Sequence, residues 1–182
     1  AIRGSEGAAS PTTILSPGHT PSVSIRLKKG TPRGDVRAAQ ENGDPKAMTM
    51  LGELYANAMG VKRDYGKATE WYRRAADAGV ARALFNVAVM HDSGIGVPRN
   101  TAQAATWYAK AAARGHGRAQ YNLAQLYASG DGVPRNVEQA IVWYRAAADG
   151  GLEAAVTKLA DLEARRAGSP PECAQATGRL LP

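Results

Sequence analysis

The chain is poor in several residues on which common protein chemistries depend. It has one cysteine, Cys173, in 182 residues, which excludes an intrachain disulfide and any paired-cysteine metal motif. The three histidines, His19, His91 and His116, are scattered, with neither the H-x-x-x-H spacing of a metal site nor a C-x-x-C-H haem attachment. Aromatic residues make up 6% of the chain, with a single Phe, so a core must form by close approach of small side chains. No run reaches the roughly 18 to 20 continuous apolar residues that a membrane helix requires. The start lacks the charged and then apolar segments of a signal peptide. No nucleophile, base and acid stand together in a recognisable pattern. The expectation is a protein that is not an enzyme and takes no cofactor, metal or small-molecule substrate.

What the chain does have is typical of a folded α-helical protein: 44% hydrophobic residues, much of it alanine, the best helix former. The formal net charge is +7, which raises the question of a nucleic-acid partner. Its distribution argues against one. Residues 1–34 carry Arg3, Arg26, Lys28, Lys29 and Arg33 against Glu6, and hold +4 of the +7. This arm has no aromatic interleaving of the kind that stacks on bases. The chain starts at Ala1, which reads either as a processed product or as a trimmed chain; the first reading is preferred, and with it an exported, periplasmic protein over a cytoplasmic one.

The dominant signal is identity at an offset of 36 residues. Trp71-Tyr72 recurs as Trp107-Tyr108 and Trp143-Tyr144, and Gly79 as Gly115 and Gly151. Ala75-Ala76 recurs as Ala111-Ala112 and Ala147-Ala148, and Arg63 as Arg99 and Arg135. Each unit reads as two helices. Helix A of the second unit is predicted over Ala81 to Ser93, with Leu84, Val87, Ala88 and Met90 on one face. A glycine-rich loop, Gly94-Ile95-Gly96 or Gly130-Asp131-Gly132, ends helix A. These loops lack the strand-to-helix setting of a phosphate-binding turn. Helix B then starts at Asn100 or Asn136, each followed three residues later by Gln103 or Gln139, a variant of the reciprocal capping box. Asp64 caps the first unit. Short loops make successive helices antiparallel.

The spacing divides the chain into an irregular arm at 1–34, a solenoid at 35–167 and a C-terminal tail at 168–182. Within the solenoid lie a half unit at 35–46, units at 47–80, 81–116 and 117–151, and a closing helix at 152–167. No isolated hairpin of this size buries enough surface to offset chain entropy, so stability must come from neighbour packing on neighbour. The Trp-Tyr step is the expected anchor. A buried aromatic removes about 150–250 Å² from water, and Trp107→Ala is expected to cost about 3–5 kcal/mol.

The pattern Ala47-x-x-x-Leu51-Gly52-x-Leu54-Tyr55, then Gly60-Val61-x-Arg63-Asp64, then Ala68-x-x-Trp71-Tyr72-x-x-Ala75-Ala76-x-x-Gly79, resembles the Sel-one-like repeat, a relative of the tetratricopeptide repeat. The resemblance covers residues 35–167. It implies an all-α fold, a right-handed superhelix of antiparallel helix pairs whose concave face is made mostly by the A helices. It also implies an adaptor, as in bacterial envelope and signalling assemblies or eukaryotic quality control, and it places Arg63, Arg99 and Arg135 in the loop against carbonyls ending helix A. Three departures stand out: Ala58 at a loop glycine position, Lys62 at a proline position, and His91 where the other units have Tyr55 and Tyr127.

The expected function is a non-catalytic scaffold or accessory subunit that docks on a larger bacterial envelope assembly through protein partners. The alternative is a soluble periplasmic regulator that binds a signalling receptor or biosynthetic enzyme in its groove. Asn86 and Asn122, one period apart, are the lead candidates for the partner-binding face, since groove amides can bond a peptide backbone or carboxylate. Glu53, Ser93, Gln125 and Ser129 join them. His91 reads as a packed or groove-lining side chain rather than a metal ligand. In the arm, Val23, Ile25 and Leu27 alternate with polar residues, either as a chance run in a linker or as a strand that adds to an edge of another protein.

Overall fold

The structure, a computed structural model, describes residues 43–168. The arm with Val23, Ile25 and Leu27, most of the proposed half unit, and the tail with Cys173 lie outside the described residues. Among the described residues seven helices follow one another: α1 Pro45–Asn57, α2 Tyr65–Asp77, α3 Ala81–Ser93, α4 Thr101–Ala112, α5 Gly117–Ser129, α6 Val137–Asp149 and α7 Glu153–Gly168. Each helix packs chiefly on its neighbours in sequence. The described chain is thus three helical hairpins, α1–α2, α3–α4 and α5–α6, stacked in a row and followed by the unpaired α7.

Local chemistry sets the helix starts. Asp44 accepts hydrogen bonds from the amides of Lys46 and Ala47, and Pro45 takes the first helical position, where no amide hydrogen is needed. Helix α1 therefore begins at Pro45, two residues ahead of the expected unit start at Ala47. Residues 45 and 46 belong to this helix and not to a preceding half unit. The B helices start at their expected caps: Asp64, Asn100 and Asn136 accept from the amides of Lys67, Gln103 and Gln139 at 2.9–3.0 Å. The reciprocal half of the capping box is replaced. The amides of Asn100 and Asn136 donate instead to the carbonyls of His91 and Tyr127 at 2.7 and 2.8 Å, and that of Asp64 to Tyr55 at 3.1 Å. One backbone bond thereby ties the end of each A helix to the start of its B helix, and the Gln side chain has no free amide left to satisfy.

The turns from B to A repeat equally closely. The amides of Val80, His116 and Leu152 reach back to the carbonyls of Ala75, Ala111 and Ala147 at 3.0–3.2 Å. These bonds span Gly79, Gly115 and Gly151, whose φ angles are +83°, +77° and +87°.

The seam between helices holds small residues against one large one. Ala68, Ala104 and Ala140 are fully buried, as are Tyr72, Tyr108 and Tyr144 at 1–3% exposure. Gly52 makes room for the first tyrosine, since a β-carbon there would lie 2.5 Å from the Tyr72 ring. The tryptophans are placed differently from expectation. Trp71 is buried, but Trp107 and Trp143 are only half-buried and pack against the core from outside. Adjacent helical residues point about 100° apart, so when tyrosine fills the seam tryptophan turns to the flank. Its ring is then covered by a cation three residues on: Arg74 lies 4.8 Å from the Trp71 ring and Lys110 lies 4.3 Å from that of Trp107. The interlocking residue of the step is the tyrosine.

Candidate functional site

A groove of about 820 Å³ runs along the side formed by the first helices of the hairpins. Helix α1 contributes Glu53, Ala56 and Asn57, with Met59 from the loop beyond it. Helix α3 contributes Arg82, Phe85, Asn86 and Met90. Tyr72 enters from α2, His116, Gly117 and Arg118 from the start of α5, and Gly150 to Leu152 from the turn before α7. Its walls thus come from every hairpin.

Aromatic and cationic groups dominate this groove. Phe85 stacks on His116 with ring centroids 4.6 Å apart and planes at 22°. His116 also caps α5, its Nδ1 accepting from the Ala119 amide at 3.3 Å. Burial pushes the His116 pKa down, and the positive charges of Arg118 and Arg82 push the same way, which keeps the ring neutral and able to accept. Arg82 donates from Nε to Glu53 at 2.7 Å and so links the first two hairpins. Arg118 is exposed and makes no ion pair among the described residues. Burial, reinforced by Glu53, raises the Tyr72 pKa, so its hydroxyl stays protonated and is a donor.

The residues singled out from sequence divide into distinct environments. Glu53 and Asn86 line the groove, and the half-buried Asn86 amide has no hydrogen-bond partner among the described residues. Asn122 is occupied: its Nδ2 donates to the Tyr108 hydroxyl at 3.0 Å. Gln125 and Ser129 line a second hollow of about 480 Å³, with Tyr144, Lys158, Asp161 and Leu162. Ser129 also donates to the Leu126 carbonyl and accepts from the Asp131 amide. Ser93 lines neither hollow and returns its hydroxyl to the Val89 carbonyl at 2.6 Å. The six residues therefore do not form one ligand face.

Two of the three loop arginines act as the resemblance implies, whereas Arg63 makes no such bond among the described residues and lies 5.8 Å from the Tyr65 ring centroid. Arg99 Nε donates to the Asp92 carbonyl at 2.9 Å and Arg135 Nε to the Ala128 carbonyl at 3.1 Å. Arg99 also pairs with Asp131 of the next loop at 3.0 Å. His91 is packed, at 5% exposure, with Nε2 3.5 Å from Arg73 Nη2. Its Nδ1 has no partner among the described residues, and burial lowers its pKa. The described residues hold no group of His, Cys, Asp and Glu side chains suited to a metal ion, and no helix long and apolar enough to cross a membrane.

Sequence reasoning passed over Arg82, Arg118 and Phe85, and weighed His116 only as a metal ligand. A signal was present, since Lys46, Arg82 and Arg118 recur at the 36-residue offset, as do Phe85 and Tyr121.

Tandem antiparallel hairpins joined by short loops, each presenting its first helix to a shared groove, define an α-solenoid of the helical-repeat class. The chain belongs to the Sel1 repeat family, whose family model matches residues 45–80, 81–116 and 117–152. No curated protein matches the sequence. Among solved structures it is similar to a Sel1 repeat protein from Oxalobacter formigenes, with 29% identity and a TM-score of 0.71 over 76% of this chain. It is also similar to c5321, a protective antigen of uropathogenic Escherichia coli strains with an SLR fold, with 36% identity and a TM-score of 0.70 over 72% of this chain. The chain spans 58% and 28% of the lengths of those two proteins. Helicobacter pylori cysteine rich protein B shares the fold at 20% identity and a TM-score of 0.57, over 72% of this chain and all of its own.

Proposed function

We propose that this protein is a non-catalytic interaction scaffold, an exported accessory subunit that holds a protein partner in the groove of its A helices and docks on a larger bacterial envelope assembly. Sel1 repeat proteins generally mediate protein–protein interaction. The observation that carries the reading here is the groove itself. It crosses all three repeats and exposes the unpartnered Asn86 amide beside apolar surface from Phe85, Met59 and Leu152. A single extended segment can lie along such a surface, bonding through its backbone and seating side chains in turn. The bacterial setting is supported by similarity to the Oxalobacter and Escherichia proteins.

The test is a photo-crosslinking residue placed at Asn86 in cells of the native host, with fractionation by osmotic shock. The expected result is a discrete crosslinked protein in the envelope fraction that is lost when the crosslinker is moved to the outer flank at Lys110. Equal labelling from both positions, or none from Asn86, would remove the groove from the account.

A further inference from the structure

The groove is chemically one-sided. Its only carboxylate among the described residues, Glu53, is already engaged by Arg82 at 2.7 Å, so Arg118 is the charge they leave uncompensated. Three further polar side chains line it, the Asn57 and Asn86 amides and the largely buried Tyr72 hydroxyl; each can donate, and none has a hydrogen-bond partner among the described residues. Beside these donors lies the Phe85–His116 stack, a flat aromatic surface reached from the groove. One unpaired cation beside groups able to donate favours an occupant that brings acceptors and negative charge. The aromatic floor favours apolar side chains among them.

Resting on the scaffold reading, we infer that the groove takes an extended acidic segment of a partner protein, its carboxylate side chains met by Arg118 and Asn86 and a neighbouring apolar side chain laid on the Phe85–His116 stack. Arg82 then has a structural as well as an electrostatic part, because its bond to Glu53 joins α1 to α3 and holds the groove wall in place. Arg118 is exposed and has no ion pair among the described residues, so it contributes charge without joining helices, which makes it the informative position.

The experiment uses the full chain and a fluorescein-labelled octapeptide, Ser-Glu-Glu-Phe-Glu-Glu-Leu-Ser, in fluorescence anisotropy. The same peptide with Lys for Glu, and an oligothymidylate of similar length, serve as comparisons. The acidic peptide is expected to bind, to weaken with added salt, and to lose about fivefold in affinity in Arg118→Ala, the size of one charge contact at a partly solvated surface. Lys62→Ala, an exposed charge away from the groove, is expected to leave binding unchanged, as is the circular dichroism spectrum in both variants. Absence of binding, indifference to Arg118→Ala, or equal affinity for oligothymidylate each overturns the inference. A protein captured through Asn86 whose complex ignores both salt and Arg118→Ala leaves the scaffold reading standing and removes the acidic partner. Peptide binding that depends on Arg118, with no protein captured in cells, does the reverse.

Discussion

Asn122 and Tyr108 are joined by a hydrogen bond of 3.0 Å from the amide to the phenol, and the same phenol donates to Asp92 at 3.2 Å. One hydroxyl therefore links α3, α4 and α5, crossing from the second hairpin into the third. Burial raises the Tyr108 pKa, an effect that the Asn122 bond opposes and the Asp92 charge reinforces, so the hydroxyl keeps its proton for Asp92.

Removing that hydroxyl without changing the ring isolates the link. Tyr108→Phe is expected to lower unfolding free energy by about 1–2 kcal/mol, a lost bond plus two polar groups left to find water. Urea denaturation with an unchanged m-value checks it. If Asn122→Ala were to leave stability intact and abolish partner binding, the amide would be a ligand group after all.

The two residues of the repeated aromatic step should differ in importance. Tyr108→Ala empties a seam position at 1% exposure and is expected to cost about 3–5 kcal/mol. Trp107→Ala removes a half-buried ring and its contact with Lys110, for about 1–2 kcal/mol, less than the sequence alone implied. Paired denaturation curves decide this, and a larger loss from the tryptophan would reverse the assignment.

Two glycines with nearly the same backbone angle offer a controlled comparison. Gly115 has φ +77° and open space where a β-carbon would go, whereas at Gly132, with φ +72°, that atom would lie 2.5 Å from the Thr101 carbonyl carbon. Gly115→Ala is expected to cost about 1 kcal/mol through backbone strain alone. Gly132→Ala adds a collision between one hairpin's loop and the start of the preceding hairpin's second helix, and is expected to cost at least about 2 kcal/mol. Equal losses would mean that the loop moves aside freely.

Acid should weaken the fold through His116. Burial, with Arg118 and Arg82 beside it, holds this histidine below its ordinary value of 6.5. The folded protein then binds fewer protons than the unfolded chain as pH falls from 6.5 towards the depressed folded value. Stability is fully present above 6.5 and is lost across that window. The urea midpoint is expected to be lower at pH 5 than at pH 7.5. His116→Asn, which retains a capping acceptor, should shrink the difference without abolishing it, because His91 is depressed in the same direction. An identical pH response in the variant would remove His116 as the cause.

Much of this architecture was legible in the order of residues. The 36-residue period, the span of α3 over Ala81–Ser93 and the caps at Asp64, Asn100 and Asn136 are set by interactions within a few positions along the chain. The start at Asp44-Pro45 was equally local and was simply passed over. Such signals repeat with the sequence, so three copies of one pattern yield three copies of one hairpin.

Symmetry in sequence did not carry over to the polar side chains of the A helices. Asn86 and Asn122 occupy the same position of successive repeats, but among the described residues one amide has no partner and the other is held by Tyr108. Arg82 and Arg118 are likewise equivalent, and among the described residues only Arg82 finds a carboxylate, because Glu53 is replaced one period later by Val89. The period alone determined how each hairpin forms and that the hairpins stack. Which polar groups remain unspent depended on what the adjoining hairpin brings within hydrogen-bond reach, and that is decided only when the repeats are packed in three dimensions.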